Sequence, residues 1–191
     1  MSPSTLDSAI WYLVRASGWV ALVLGVLALF LGFIFSARDT VGAKPAWWLD
    51  LHNYLGGLAL VFTGIHMVAV IGDSMNGLGV IETLLPFSAG SAVVGMALGT
   101  MSFWLFAAAV FTSWPKRWLP RNVWRWIHLG SVAGFVMAGV HTWMVGTDAR
   151  STAGMLVLLG CAALFSYPLA VRLLKLKPAT AKTPRSRYAS H

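Results

Sequence analysis

Four histidines carry the chemistry this sequence offers. The stretch LHNYLGGLALVFTGIHMV holds His52 and His66, and WRWIHLGSVAGFVMAGVHTW holds His128 and His141. The spacings are fourteen and thirteen residues, and both stretches are otherwise apolar. The fifth histidine, His191, is the terminal residue. Ionisable groups inside an apolar helix are costly and usually functional. A neutral imidazole is the commonest metal ligand, and two facing imidazoles form the axial set of a six-coordinate haem iron. A histidine-lined metal or proton path is the competing functional expectation. Such a path normally uses carboxylates, and no Asp or Glu lies in the interior of any apolar span. Hydrogen-bonded core histidines are the structural alternative.

The elements that must position these residues are membrane helices. The chain has 191 residues, of which 58% are apolar and 10% charged, and its mean hydropathy is +0.72. A soluble domain carries about 25% charged residues. Windows of about 20 apolar residues give five spans, at 10–36, 48–72, 92–113, 122–146 and 152–174. Trp11, Trp47, Trp48, Trp114, Trp118, Trp124, Trp126 and Trp143 fall at or near span ends, as an interfacial aromatic belt requires. The expected fold is therefore all-α, an integral membrane bundle of five transmembrane helices.

Basic residues set the orientation. Arg38 and Lys44 follow the first span, and Lys116, Arg117, Arg121 and Arg125 surround the loop after the third. Arg172, Lys175, Lys177, Lys182, Arg185 and Arg187 end the chain. The loop 73–91 has none, only Asp73 and Glu82, and the short fourth loop has Arg150 beside Asp148. The positive-inside rule then places the N-terminus outside and the C-terminus inside. It also accounts for the net charge of +8 without nucleic acid as a partner.

This topology makes the spans of His52/His66 and His128/His141 run the same way. His52 and His128 then share an inner depth, and His66 and His141 an outer one, roughly 20 Å apart at about 1.5 Å per residue. Two levels of paired imidazoles suit two stacked haems. One geometric point resists. At about 100° per residue, His66 returns to within about 40° of His52, whereas His141 lies about 140° from His128. The fourth span must distort between them, helped by Gly130, Gly134 and Gly139, or the two levels must be laterally offset.

Other residues qualify as support. Gly56, Gly57, Gly64 and Gly130 near the histidines would let a flat cofactor approach the backbone, or would serve ordinary helix packing. Arg125, one turn before His128, and Arg15, in the first span, are candidate partners for haem propionates. Snorkelling to the interface is the alternative for Arg15, and an inner-side positive charge for Arg125. Phe62 and Phe135 fall between the levels, as packing or as a tunnelling bridge. Cys161 reads as a small buried core residue.

Outside the spans, 1–9 is a short outer N-terminus, the haem-binding membrane domain covers 10–176, and the basic, Pro-containing tail 177–191 is expected to be disordered. The first apolar run lacks a basic lead and exceeds the roughly 7–15 residues of a signal core, so it is expected to be retained. In the loop 73–91 a short interfacial helix, Val80 to Leu85, should stop at Pro86. Glycines there lack phosphate-loop spacing, and no strand–Gly-rich–helix unit occurs anywhere.

RASGWVALVL, LHNYLGGLALVFTGIHMV, SWPKRWLPRNVWRWIHLGSVAGFVMAGVHTW and VGTDA together resemble the ferric reductase-like transmembrane domain. This superfamily includes ferric reductases, NADPH oxidases and the bacterial haem-binding partner of periplasmic methionine sulfoxide reductase. The likeness covers residues 10 to 175 and is nearest to small stand-alone bacterial members. It implies two haem b groups, the inner held by His52 with His128 and the outer by His66 with His141. It implies a multi-pass protein of the bacterial cytoplasmic membrane that carries electrons from an inner flavoprotein reductase or quinol to an outer acceptor: ferric iron, a flavoprotein or oxygen. The chain departs from the larger enzymes in having five spans where they have six, and in lacking their flavin and NADPH module. It would be an oxidoreductase component, with a haem-binding anchor subunit of a larger redox complex as the alternative.

Overall fold

A computed structural model describes residues 5–36, 47–90, 92–113 and 119–175. Among these residues the chain is helical, with no strand. Its elements are α1 (Thr5–Ser36), α2 (Trp47–Gly72), α3 (Val80–Leu84), α4 (Val93–Ser113), α5 (Arg121–Val145) and α6 (Thr152–Lys175). All but α3 are long and apolar enough to cross a membrane, and they coincide with the five expected spans. The first begins earlier than expected, at Thr5, so Arg15 lies about 15 Å along it at 1.5 Å per residue. The expected disordered tail and most of the basic loop residues lie outside the described residues.

The helices pack as two hairpins. α1 packs along α2 and α4 along α5, while α6 lies against α1. Between the hairpins α1 touches α5 and α2 touches α4, but α2 and α5 are not among the packed pairs. A seam therefore remains between the two helices that carry the histidines. The small core sits beside it: Leu22, Val26 and Leu29 of α1 meet Phe135 of α5 and Cys161 of α6. Cys161 is buried and free, as expected of a core residue. Large apolar side chains on the outer faces, such as Val68 and Leu156, are exposed, which in a membrane protein means contact with lipid.

α3 forms as expected, one residue shorter. Its N-terminus is capped by Glu82, whose carboxylate accepts from the Gly79 amide at 3.1 Å. Its end at Leu84 follows from Pro86, because the residue before a proline is pushed to extended backbone, and Leu85 is extended. Two side chains of α4 tie it down. The Thr100 hydroxyl donates to Thr83 O at 2.9 Å, and the Trp104 indole N–H donates to Leu84 O at 3.0 Å. The buried carboxylate of Asp73 starts the same loop, accepting from the Met75 amide and the Asn76 side chain.

α5 is one unbroken α-helix from Arg121 to Val145. The expected distortion between His128 and His141 does not take the form of a break. Each imidazole pairs with one from α2, so α5 brings both to the seam without a break.

Replacing Thr100 by Val removes the hydroxyl but keeps the shape. The variant should lose about 1 kcal/mol and show a lower midpoint in thermal unfolding of detergent-solubilised protein. Limited proteolysis should cut between residues 73 and 90 faster than in the parent chain.

Candidate histidine-pair site

The four imidazoles meet in two pairs across the seam. The ring centres of His52 and His128 are 5.9 Å apart with their planes inclined at 62°. Those of His66 and His141 are 6.4 Å apart and inclined at 84°. Each level thus takes one ring from α2 and one from α5.

What orients each ring is a neighbouring helix. Nδ1–H of His66 donates to Val14 O and that of His52 to Ala28 O, both on α1 and both at 2.8 Å. Nδ1–H of His141 donates to Gly95 O of α4, also at 2.8 Å. A carbonyl only accepts, so in these three rings the proton is on Nδ1 and the lone pair on Nε2. These carbonyls belong to helices, where each already accepts along the axis; the imidazole takes the second lone pair.

A ring that reaches a helical carbonyl must lie over the residue one turn further on. At all three sites that residue is glycine. Gly18 follows Val14 by four positions, Gly32 follows Ala28, and Gly99 follows Gly95. A Cβ on Gly18 would stand 3.1 Å from the His66 ring, one on Gly32 3.0 Å from the His52 ring, and one on Gly99 2.7 Å from the His141 ring. The glycines that matter most are therefore on α1 and α4. Those expected on the histidine helices behave differently. A Cβ at Gly56, Gly57 or Gly64 would meet nothing within 4 Å, and one at Gly130 would meet only Leu105. Gly56 and Gly57 do line the cavity beside His52.

His128 is held in another way. Ser113 occupies the place of the glycine, four residues after Ala109. Its hydroxyl donates to Ala109 O at 2.6 Å and accepts from the Trp124 indole N–H at 3.1 Å. His128 Nδ1 lies 3.3 Å from the same oxygen. With the serine proton committed to Ala109, Nδ1–H is the donor. Trp124 also stacks on His128, ring centres 5.1 Å apart and planes 21° apart.

Two cavities open between the hairpins. One, of about 380 Å³, lies at the His52–His128 level; the other, of about 260 Å³, lies at the His66–His141 level. Gly25 and Phe106 line both and form the wall between them. Phe135 lines the second cavity and belongs to the core, while Phe62 lines neither.

The two expected arginines fare differently. Arg15 lines the cavity beside His66, forms an ion pair with Asp148 and lies 3.8 Å above the Trp11 ring. Its Nε is buried without a hydrogen-bond partner, as is Nε1 of Trp48, one turn before His52. Arg125 is exposed and lines neither cavity. Ser113 went unidentified as a site residue: a serine at a helix end suits an interfacial position.

Among the described residues no group of three or more His, Cys, Asp or Glu converges. The chain offers two nitrogen ligands per level, each with its other ring nitrogen engaged. Metal-ligating histidines typically have this second contact, which fixes the tautomer and raises ligand basicity. No protein-family model, curated protein or solved structure matches this chain.

Gly99→Ala should displace His141 from the Gly95 carbonyl and lower the thermal unfolding midpoint. Gly139→Ala, where a Cβ meets nothing within 4 Å, should leave it unchanged or raise stability by up to about 1 kcal/mol, the helix-propensity gain. Equal effects from the two substitutions would contradict the packing described.

Proposed function

We propose that the chain is a di-haem b-type cytochrome that carries electrons across a membrane. The observation that supports it best is the state of the four histidines. They form two facing pairs at two depths, and in each ring Nδ1–H is donated, leaving Nε2 for a metal.

The residues fit the group. Two imidazoles holding one metal between them at about 2.0–2.1 Å each would have ring centres about 6.3–6.5 Å apart; the His66–His141 pair stands at 6.4 Å and the His52–His128 pair, at 5.9 Å, would open by about half an ångström. A tetrahedral ion would want four protein ligands. A porphyrin brings its own four nitrogens and needs only the axial two. The seam between α2 and α5 provides space for a flat group, and its walls are mostly apolar. His52 with His128 would hold one haem and His66 with His141 the other. When bound, haem supplies a one-electron ferric/ferrous couple at each level. The chain fixes the imidazoles, keeps water away through the apolar walls, and separates the levels by Gly25 and Phe106. The unpaired Nε of Arg15, which lines the cavity beside His66, would gain an acceptor in a propionate carboxylate, since an unmade buried hydrogen bond costs about 1–3 kcal/mol.

The wider reading rests on the charge pattern and the family resemblance. The N-terminus is outside and the C-terminus inside a bacterial cytoplasmic membrane. The His52–His128 level is then the inner one and receives electrons from a flavoprotein reductase or quinol. The His66–His141 level delivers them to ferric iron, a flavoprotein or oxygen. A proton or metal path through the same histidines is disfavoured, because a relay needs both ring nitrogens and here one is tied to the scaffold.

The purified protein reduced with dithionite should show a sharp b-type α-band, and its pyridine haemochrome should give two haems per chain. His66→Ala should reduce the count to one. A chain without the α-band, or a His66→Ala variant that keeps both haems, would contradict the proposal.

A further inference from the structure

Three of the four histidines donate directly to a peptide carbonyl at 2.8 Å, over a glycine. The fourth does not. At His128 the serine at the glycine position adds its hydroxyl at 3.3 Å from Nδ1 and itself donates to the Ala109 carbonyl, which stays a weaker, longer partner of the ring. We infer that Ser113, with Trp124, is a positioning residue that sets the redox potential of the His52–His128 level separately from the other. The inference rests on the di-haem reading.

The argument is one of acceptor strength. An acceptor on Nδ1–H draws the proton outward and makes Nε2 a stronger electron donor to the metal. A stronger donor favours ferric over ferrous iron and lowers the potential, and hydrogen bonding of this kind is one of the levers a protein has over haem. A peptide carbonyl at 2.8 Å is a good acceptor. The Ser113 oxygen is a poorer one. It stands at 3.3 Å from Nδ1, and the Trp124 indole N–H, at 3.1 Å, competes for its lone pairs. His128 is therefore the least electron-rich of the four ligands, and its level is poised higher than a carbonyl and glycine would leave it. Trp124 acts twice, because its ring also stacks on His128 and keeps the imidazole facing the seam.

Both groups keep the level high. Removing the serine hydroxyl frees the Ala109 carbonyl to accept from His128 as at the other three rings, so the potential falls. Removing the Trp124 N–H frees the Ser113 oxygen to accept from His128, so the potential falls here too. The ferrous-to-ferric ratio at fixed potential should change roughly twofold to tenfold in each, the scale of one hydrogen bond.

The test is a spectroscopic redox titration of the full-length protein and of Ser113→Ala, Ser113→Thr and Trp124→Phe, with haem counted in each. The midpoint of the His52–His128 level is identified as the one missing in His52→Ala. Ser113→Ala should lower that midpoint and leave the other in place. Trp124→Phe should lower it, and Ser113→Thr, which keeps the hydroxyl, should match the parent protein. If Ser113→Ala loses one haem, Trp124→Phe with both haems retained decides: a lowered midpoint supports the inference and an unchanged one overturns it. Unchanged midpoints in Ser113→Ala with two haems retained, or equal shifts in both, would overturn the inference. A parent protein without haem contradicts the cytochrome reading itself, and this is known before any variant is titrated.

Discussion

Placing a neutral imidazole in an apolar helix leaves its ring N–H to be satisfied, and the rest of this structure follows from how that is done. Water is scarce there and few side chains can accept. The available acceptors are helical carbonyls, whose second lone pairs point outward beside the axis. Reaching them requires two helices to come so close that the next turn of the acceptor helix can bear no side chain. The α1–α2 and α4–α5 hairpins are the consequence. Each holds one histidine helix against a small-residue face of its neighbour, and each points the free Nε2 atoms away from that neighbour into the seam.

This constraint also explains why the pairs form between helices that do not pack together. α2 and α5 are each fixed by a hairpin partner, and the partners leave a gap between them. The imidazoles reach into the gap from both sides. The site is held by the scaffold on the far side of each ring. It further explains how an unbroken α5 accommodates a spacing of thirteen. The anchors of its two histidines, Gly95 O and Ser113 Oγ, lie near the two ends of α4, so one helix holds both rings toward the seam.

The five spans and the matched depths of His52 with His128 and His66 with His141 were legible in the sequence, because apolar length and residue number carry them directly. The supports were not read, although part of the signal was present. Gly18, Gly25 and Gly32 recur every seven residues along α1, one face of a helix, and they lie at one histidine level, at the wall between cavities and at the other level. Glycines close to the histidines in sequence drew attention instead, yet contact between a ring and a glycine is made across helices. Arg125 shows the same limit: one turn away along a helix is not the same direction in space. Ser113 looks like any polar residue at the end of a span until the Ala109 carbonyl, Trp124 and His128 are seen around it.

The central claim is that paired histidines at two levels each bind a haem iron through both Nε2 atoms. Electron paramagnetic resonance of the oxidised, purified protein tests it most directly, because it reports axial ligation at each iron. The account predicts two low-spin ferric centres of the bis-imidazole type, integrating to two per chain, with no high-spin component. A high-spin signal from a five-coordinate iron, a single centre, or no ferric haem signal would contradict it.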